Sequence, residues 1–189
     1  VSVLHKKNEG LSQARNDGMK QVHGDYLIFI DSDDYIHPEM IQSLYEQIIQ
    51  EDADVSSCGV MNVYANDESP QSANQDDYFV CDSQTFLKEY LIGEKIPGTI
   101  CNKLIKREIA TALSFPKGLI YEDAYYHFDL IKLAKKYVVN TKPYYYYFHR
   151  GDSITTKPYA EKDLAYIDIY QKFYNEVVKN YPDLKEVAF

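Results

Sequence analysis

The sequence predicts an α/β fold, a mixed sheet flanked by helices, on three observations. An all-apolar run, Tyr26 to Ile30, is bounded by turn residues and reads as a strand covered on both faces, as in a parallel sheet. Pro38 is followed by Ile41, Leu44, Tyr45, Ile48 and Ile49 at helical spacing, the pattern of an amphipathic helix. Two further β-prone segments, Ala53 to Tyr64 and Tyr137 to Phe148, alternate with helical ones and argue a single α/β unit without internal repeats.

In chain order, Val1 to Leu4 reads as an apolar strand, and because residue 1 is Val rather than Met the native start is expected upstream. Ser12 is expected to cap a helix reaching about Val22, with Ala14, Gly18, Met19 and Val22 along one side and Gly24 at its end. The strand Tyr26 to Ile30 then delivers Asp31 to Asp34 at its carboxyl end, where ligands of open α/β sheets gather. Pro38 suits the first turn of the next helix. The polar stretch Ala65 to Asp77 reads as a loop, and Ser83 to Leu91 as a short helix with Phe86, Leu87, Tyr90 and Leu91 inward. Asn102 to Ala110 reads as a helical turn or two, and Phe115-Pro116-Lys117-Gly118 as turn chemistry leading into Leu119 to Tyr121. A longer helix is expected over Glu122 to Lys136. Pro143 predicts an edge position or a bend in the last strand. Leu164, Ile167, Tyr170, Phe173, Tyr174 and Val177 fit a final amphipathic helix within Ala160 to Asn180.

With 189 residues, 45% of them hydrophobic and 26% charged, the chain suits one globular domain or part of a larger one. Twenty Lys and Arg against 29 Asp and Glu give a net charge of −9, which disfavours a general nucleic-acid surface, so no nucleic-acid partner is expected. Cys58, Cys81 and Cys101 form neither a CxxC pair nor a zinc spacing and read as buried thiols of a reducing compartment. No apolar run approaches the roughly 18 residues that span a bilayer. No leading signal pattern is present, and a soluble, cytoplasmic chain is expected.

The acidic cluster Asp31-Ser32-Asp33-Asp34 carries the first chemical signal. In an extended backbone Asp31 and Asp33 point the same way, and two like charges side by side favour a hard divalent cation. A solvated acidic turn is the plain alternative. An EF-hand is excluded, since Ile36 and Gln42 stand where its Gly and Glu belong. Upstream, Asn8-Glu9-Gly10-Leu11-Ser12 precedes Arg15 in a helix's first turn, which makes either a phosphate cradle or an ordinary capped helix. Glu122 and Asp123 at a helix start could equally complement its dipole.

The series Asn8-x-Gly10-x-Ser12-x-Ala14-Arg15-Asn16-x-Gly18, Gly24-Asp25-Tyr26 and Phe29-Ile30-Asp31-Ser32-Asp33-Asp34 resembles the inverting family 2 glycosyltransferases with a GT-A fold. The resemblance continues through Asn102-Lys103-Leu104, Gly118-Leu119-Ile120-Tyr121-Glu122-Asp123, Tyr144 to Arg150 and Gly151-Asp152-Ser153-Ile154. It implies a partial GT-A fold, Rossmann-like, with residues 1–155 as catalytic and acceptor-side part, 156–189 as a C-terminal helical extension, and the donor-base segment upstream of Val1.

The resemblance further implies transfer from a nucleotide-sugar, a UDP-sugar above all, to a saccharide or lipid-linked acceptor with inversion, in bacterial capsular or surface polysaccharide assembly. It casts Asp123 as catalytic base, Arg15, Asp31 and Ser153 as donor-binding, and Asp33 and His149 as ligands of Mn²⁺ or Mg²⁺. A full-length protein at the inner face of a membrane, peripherally associated, is compatible with it. Two other classes stay open from the residues alone: a metal-dependent phosphate-transfer enzyme built on Asp31 and Asp33, and a non-catalytic sugar-binding module exploiting the 19 tyrosines.

Overall fold

The computed structural model describes residues 2–119, 121–150 and 165–188. Strands β1 (Tyr26–Leu27), β2 (Tyr35–Ile36), β3 (Val55–Val63), β4 (Glu68–Pro70), β5 (Tyr78–Asp82), β6 (Lys103–Lys106) and β7 (Lys136–Phe148) form one mixed sheet. Its main path runs β1-β6-β3-β7-β2, with β4 beside β3 and β5 beside β7. β3 and β7 are parallel, from Val55 opposite Tyr137 to Val63 opposite Phe148, and the other pairings are antiparallel. Helices α1 (Leu11–Met19), α2 (Met40–Gln50), α3 (Ser83–Ile92), α4 (Arg107–Thr111), α5 (Glu122–Leu133) and α6 (Ala165–Asn180) complete the described elements, with a 3₁₀ turn at Pro182–Leu184.

Several boundaries differ from the sequence expectation for local reasons. α1 is capped by Gly10, at φ 88, while Ser12 lies buried inside the helix, and the helix ends at Met19 rather than Val22. Residues 2–10 carry no strand. Of the run Tyr26 to Ile30 only Tyr26 and Leu27 pair, and with β6 alone, so Ile28 and Phe29 are half-buried and Ile30 is exposed. Asn102 to Ala110 divides into β6 and α4, because Leu104 and Ile105 are buried against β3. The polar stretch Ala65 to Asp77, expected to be a loop, contains β4.

α2 starts two residues after Pro38 and packs through Met40, Leu44 and Ile48 against β3, β6 and β7. Each such buried side chain contributes about 1.5–3 kcal/mol. Ile41, Tyr45 and Ile49 lie on the exposed flank of the same helix, so its packed stripe is narrower than its apolar one. α3 matches the expectation, with Asp82 accepting from Thr85 N–H at 2.8 Å as its cap and Gly93 in the left-handed region at its end.

β7 is an interior strand, flanked by β3 on one side and by β5 and β2 on the other. Pro143 sits at a register shift opposite Gly59, so it marks a bend rather than an edge. A Cβ on Gly59 would come within 2.1 Å of Thr141 O, which is why glycine stands there. Next to the bulge the strand does not alternate strictly: Tyr144 and Tyr145 are both buried, Tyr146 and Tyr147 both half-buried. α6 packs on α5, Phe128 stacking on Phe173 at 4.7 Å and Lys132 pairing with Glu176 at 3.0 Å. Its buried residues are Ile169, Phe173 and Val177, whereas Ile167 and Tyr170 are exposed; Leu164 lies outside the described residues. Among the described residues no helix is long and apolar enough to cross a membrane.

Candidate active site

Phe29, Phe115 and Tyr126 form an aromatic cluster, with Phe115 stacked on Tyr126 at 4.2 Å and Phe29 edge-on to Phe115 at 5.2 Å. Asn16 fastens this cluster to α1, donating to Phe115 O at 2.9 Å and accepting from Phe115 N–H at 2.8 Å. The Arg15 guanidinium lies on it, 5.1 Å from the Phe115 ring centre, with its side chain 7% exposed.

Three carboxylates converge on that buried cation. Arg15 Nη2 donates to Asp31 at 2.9 and 3.2 Å, and Nη1 donates to Glu122 at 3.0 Å and to Asp123. Burial works against the Arg15 charge, but Asp123 and Asp31 outweigh it and hold the group above its ordinary value. Glu122 is pushed up, first by burial and then by the neighbouring Asp123. Asp123 accepts a second bond, from Ile100 N–H at 3.1 Å on Oδ2. Tyr121, immediately before the pair, is in the left-handed region at φ 59, a strained placement for a non-glycine residue. Glu122 and Asp123 open α5, so they also face the positive end of its dipole.

The acidic cluster is a turn, closed by Asp34 N–H on Asp31 O at 3.2 Å, and not the extended segment expected. The turn sends its three carboxylates to different partners. Asp31 meets Arg15; Asp33 pairs with Arg150 at 2.7 Å; Asp34 accepts from Tyr145 OH at 2.5 Å and from Phe148 N–H at 3.0 Å. Burial pushes Asp34 up. Asp34 and Tyr145 thus anchor the turn to β7, a role that sequence spacing did not reveal.

His149 stacks on Tyr64 at 4.3 Å, and its Nε2 lies 2.9 Å from Asn62 Oδ1. It follows Phe148, whose N–H binds Asp34, so His149 and Arg150 flank the acidic turn. Ser153 lies outside the described residues. Among the described residues no three His, Cys, Asp or Glu side chains are grouped to hold a metal. Asp33 is nonetheless a half-exposed carboxylate, the oxygen donor that Mg²⁺ or Mn²⁺ uses together with substrate phosphates. Cys58 and Cys101 are buried, Cys81 half-buried, and burial raises all three thiols to about 12.

The sequence profile "Glycosyl transferase family 2" matches residues 1–113, more than half of the chain. The chain belongs to glycosyl transferase family 2. Family relatives include glycosyltransferase GlyG of Streptococcus pneumoniae, 31% identical over 94% of this chain and 61% of its own length. Putative glycosyltransferase EpsH of Bacillus subtilis is 29% identical over 92% of this chain and 53% of its own. This family 2 chain therefore spans roughly half to two thirds of these two relatives.

The fold is similar to that of S. aureus TarS 1-349 in complex with UDP-GlcNAc, at a TM-score of 0.71 and 22% identity over 94% of this chain and 49% of that one. The same protein in complex with UDP aligns at a TM-score of 0.65 and 19% identity, over 93% of this chain and 47% of that one. The mixed α/β fold is of the GT-A type.

Proposed function

We propose that the full-length protein is an inverting glycosyltransferase that moves a sugar from a UDP-sugar to a saccharide or lipid-linked acceptor. One observation carries this reading: Arg15 gathers Asp31, from the turn after β1, and Asp123, from the start of α5, into one cluster. Two carboxylates of distinct origin, held by one cation, divide naturally into a donor-side and an acceptor-side group. The binding of UDP-GlcNAc and UDP by TarS, which shares the fold, supports a uridine diphosphate donor.

In this reading the acceptor hydroxyl gives its proton to Asp123 as its oxygen bonds to the anomeric carbon, and the bond from that carbon to the diphosphate oxygen breaks on the opposite face. Asp31 contacts the donor ribose. Ser153, beyond the described residues, joins the donor side. Arg15 clamps Asp31 and Asp123 at a fixed separation. Asp33 and His149 are the residues that would hold Mn²⁺ or Mg²⁺, which supplies charge neutralisation for the departing diphosphate. A phosphate-transfer enzyme built on Asp31 and Asp33 is disfavoured, because the turn sends these two carboxylates to different cations, Arg15 and Arg150.

The test is UDP release by the full-length protein from UDP-GlcNAc, UDP-glucose and UDP-galactose, with the product anomer read by NMR. Acceptor-dependent UDP release with inverted product is expected. Retention of configuration, or hydrolysis of simple phosphate esters in its place, sinks the reading.

A further inference from the structure

Lys103, in the Asn102-Lys103-Leu104 segment, is fully buried in β6, and its ammonium has three oxygen partners. Nζ donates to Thr99 O at 2.7 Å, to Asn102 Oδ1 at 2.7 Å and to Pro97 O at 3.1 Å. All three N–H groups are thus satisfied. Asn102, also buried, is itself pinned to β3: its Nδ2 donates to Cys58 O, and its carbonyl accepts from Cys58 N–H at 3.1 Å.

Residues 97–101 have no strand or helix of their own, so these bonds, together with the burial of Ile100 and Cys101, set their shape. They close a short circuit. Lys103 binds the carbonyls on either side of Gly98; Lys103 N–H meets Ile100 O at 3.3 Å; Ile100 N–H meets Asp123 Oδ2 at 3.1 Å.

We propose that Lys103 is a positioning residue for the transfer reaction: by clamping residues 97–101 to β3 it aims the Ile100 amide at Asp123 and sets the orientation of that carboxylate. Asp123 then has one oxygen on Arg15 and the other on Ile100, with a second lone pair on each to receive the acceptor proton. An ammonium removed from water costs several kcal/mol, and here that cost goes with three donors placed on the segment that presents Ile100 to Asp123; a methionine of similar length would fill the space but leave Pro97 O, Thr99 O and Asn102 Oδ1 without this donor. Burial lowers Lys103 to about 7, against the attraction of the Cys58 thiol, Asp123 and the Cys101 thiol.

The inference rests on Asp123 being the base, and the experiment separates the two. In the full-length protein, binding of UDP with Mn²⁺ and turnover of the three UDP-hexoses are compared for wild type, Lys103→Met, Asp123→Asn and the double variant. Lys103→Met is expected to leave UDP affinity within about threefold and to lower kcat about 100-fold, the scale of a misaligned reacting group. In the Asp123→Asn background the same change should lower kcat no further, since the group that it aims is already gone. Parallel loss of UDP binding and turnover, or effects that multiply in the double variant, overturns the proposal. Near-normal turnover by Asp123→Asn overturns the base assignment itself, and no turnover of any of the three donors by wild type overturns the donor reading. If Lys103→Met does not fold, Lys103→Gln, which keeps two N–H donors, is measured in its place. Failure of both to fold assigns Lys103 to stability alone and ends the proposal.

Discussion

Arg15 donates to Asp123 across 108 residues of sequence, and its other terminal nitrogen holds Asp31 at 2.9 Å. One guanidinium therefore fixes the spacing between the turn after β1 and the start of α5. The planar fork suits this task, since it can serve carboxylates on two edges at once.

Removing that cation leaves Asp31, Glu122 and Asp123 facing one another. Arg15→Met is expected to destabilise the fold by about 3 kcal/mol, the scale of breaking a buried pair from one side. Arg15→Lys should recover little, because one ammonium cannot span both carboxylates. Urea denaturation of the three proteins checks this; an Arg15→Met midpoint equal to wild type would show that the cluster contributes no net stability.

Asp123→Asn keeps the shape of the side chain and removes the basic oxygen. Turnover is expected to fall by about 10² or more, with UDP binding retained. Glu122→Gln is the control, since Glu122 shares Arg15 while the Ile100 amide is directed at Asp123. Steady-state kinetics on both variants decide between them: loss in Glu122→Gln with near-normal Asp123→Asn would shift the base by one residue.

The elements that sequence periodicity revealed are those whose burial follows from their own pattern, such as α2 with Leu44 and Ile48 and α3 with Phe86 and Leu87. Where a neighbour decides, the pattern misled. The run Tyr26 to Ile30 reads as doubly covered, yet pairs with β6 alone. Ile167 and Tyr170 carry the helical period of α6 but lie one step off the face that meets Phe128. The site shows the same division. Arg15, Asp31 and Asp123 could be singled out one by one, but their meeting on one cation depends on α1 and α5 sharing the Phe29, Phe115 and Tyr126 cluster. Glu122, Ile100 and Lys103 gain their roles from that meeting. A lysine directly before the apolar pair Leu104 and Ile105, next to Asn102, was the available signal for the last of these.

Folding stability should fall as pH drops below about 6.5 because of His127. This fully buried imidazole has Nδ1 3.1 Å from Asp123 O, and its Nε2 has no hydrogen-bond partner among the described residues. Burial, with nearby Lys103 and Arg15, holds it well below its ordinary value of 6.5. The unfolded chain takes up the proton near 6.5 while the folded one does not, so the unfolded state binds more protons and stability declines with falling pH until the folded group titrates too. The slope reaches about 1.4 kcal/mol per pH unit for one group. Urea midpoints of wild type and His127→Phe between pH 7 and 5.5 test this: the variant should show a shallower loss, and identical slopes would acquit His127.

Asp33 is the carboxylate of the acidic turn best placed to meet a cation, since Asp31 is bound by Arg15 and Asp34 by Tyr145 and Phe148. Its own partner, Arg150, is half-exposed, and an ion pair of that kind contributes only about 0–1 kcal/mol, so a divalent ion with a diphosphate can displace it. Mg²⁺ and Mn²⁺ bound through one carboxylate rely on substrate phosphates for the rest of their shell, which makes metal and nucleotide binding interdependent. Asp33→Asn in the full-length protein should therefore weaken UDP binding in the presence of Mn²⁺ by tenfold or more, a loss of about 1.4 kcal/mol, and leave UDP binding in the presence of EDTA unchanged. Calorimetric titration of UDP with and without Mn²⁺ reads both numbers. If the substitution lowers affinity equally in the two conditions, Asp33 contacts the nucleotide directly and the cation is held elsewhere.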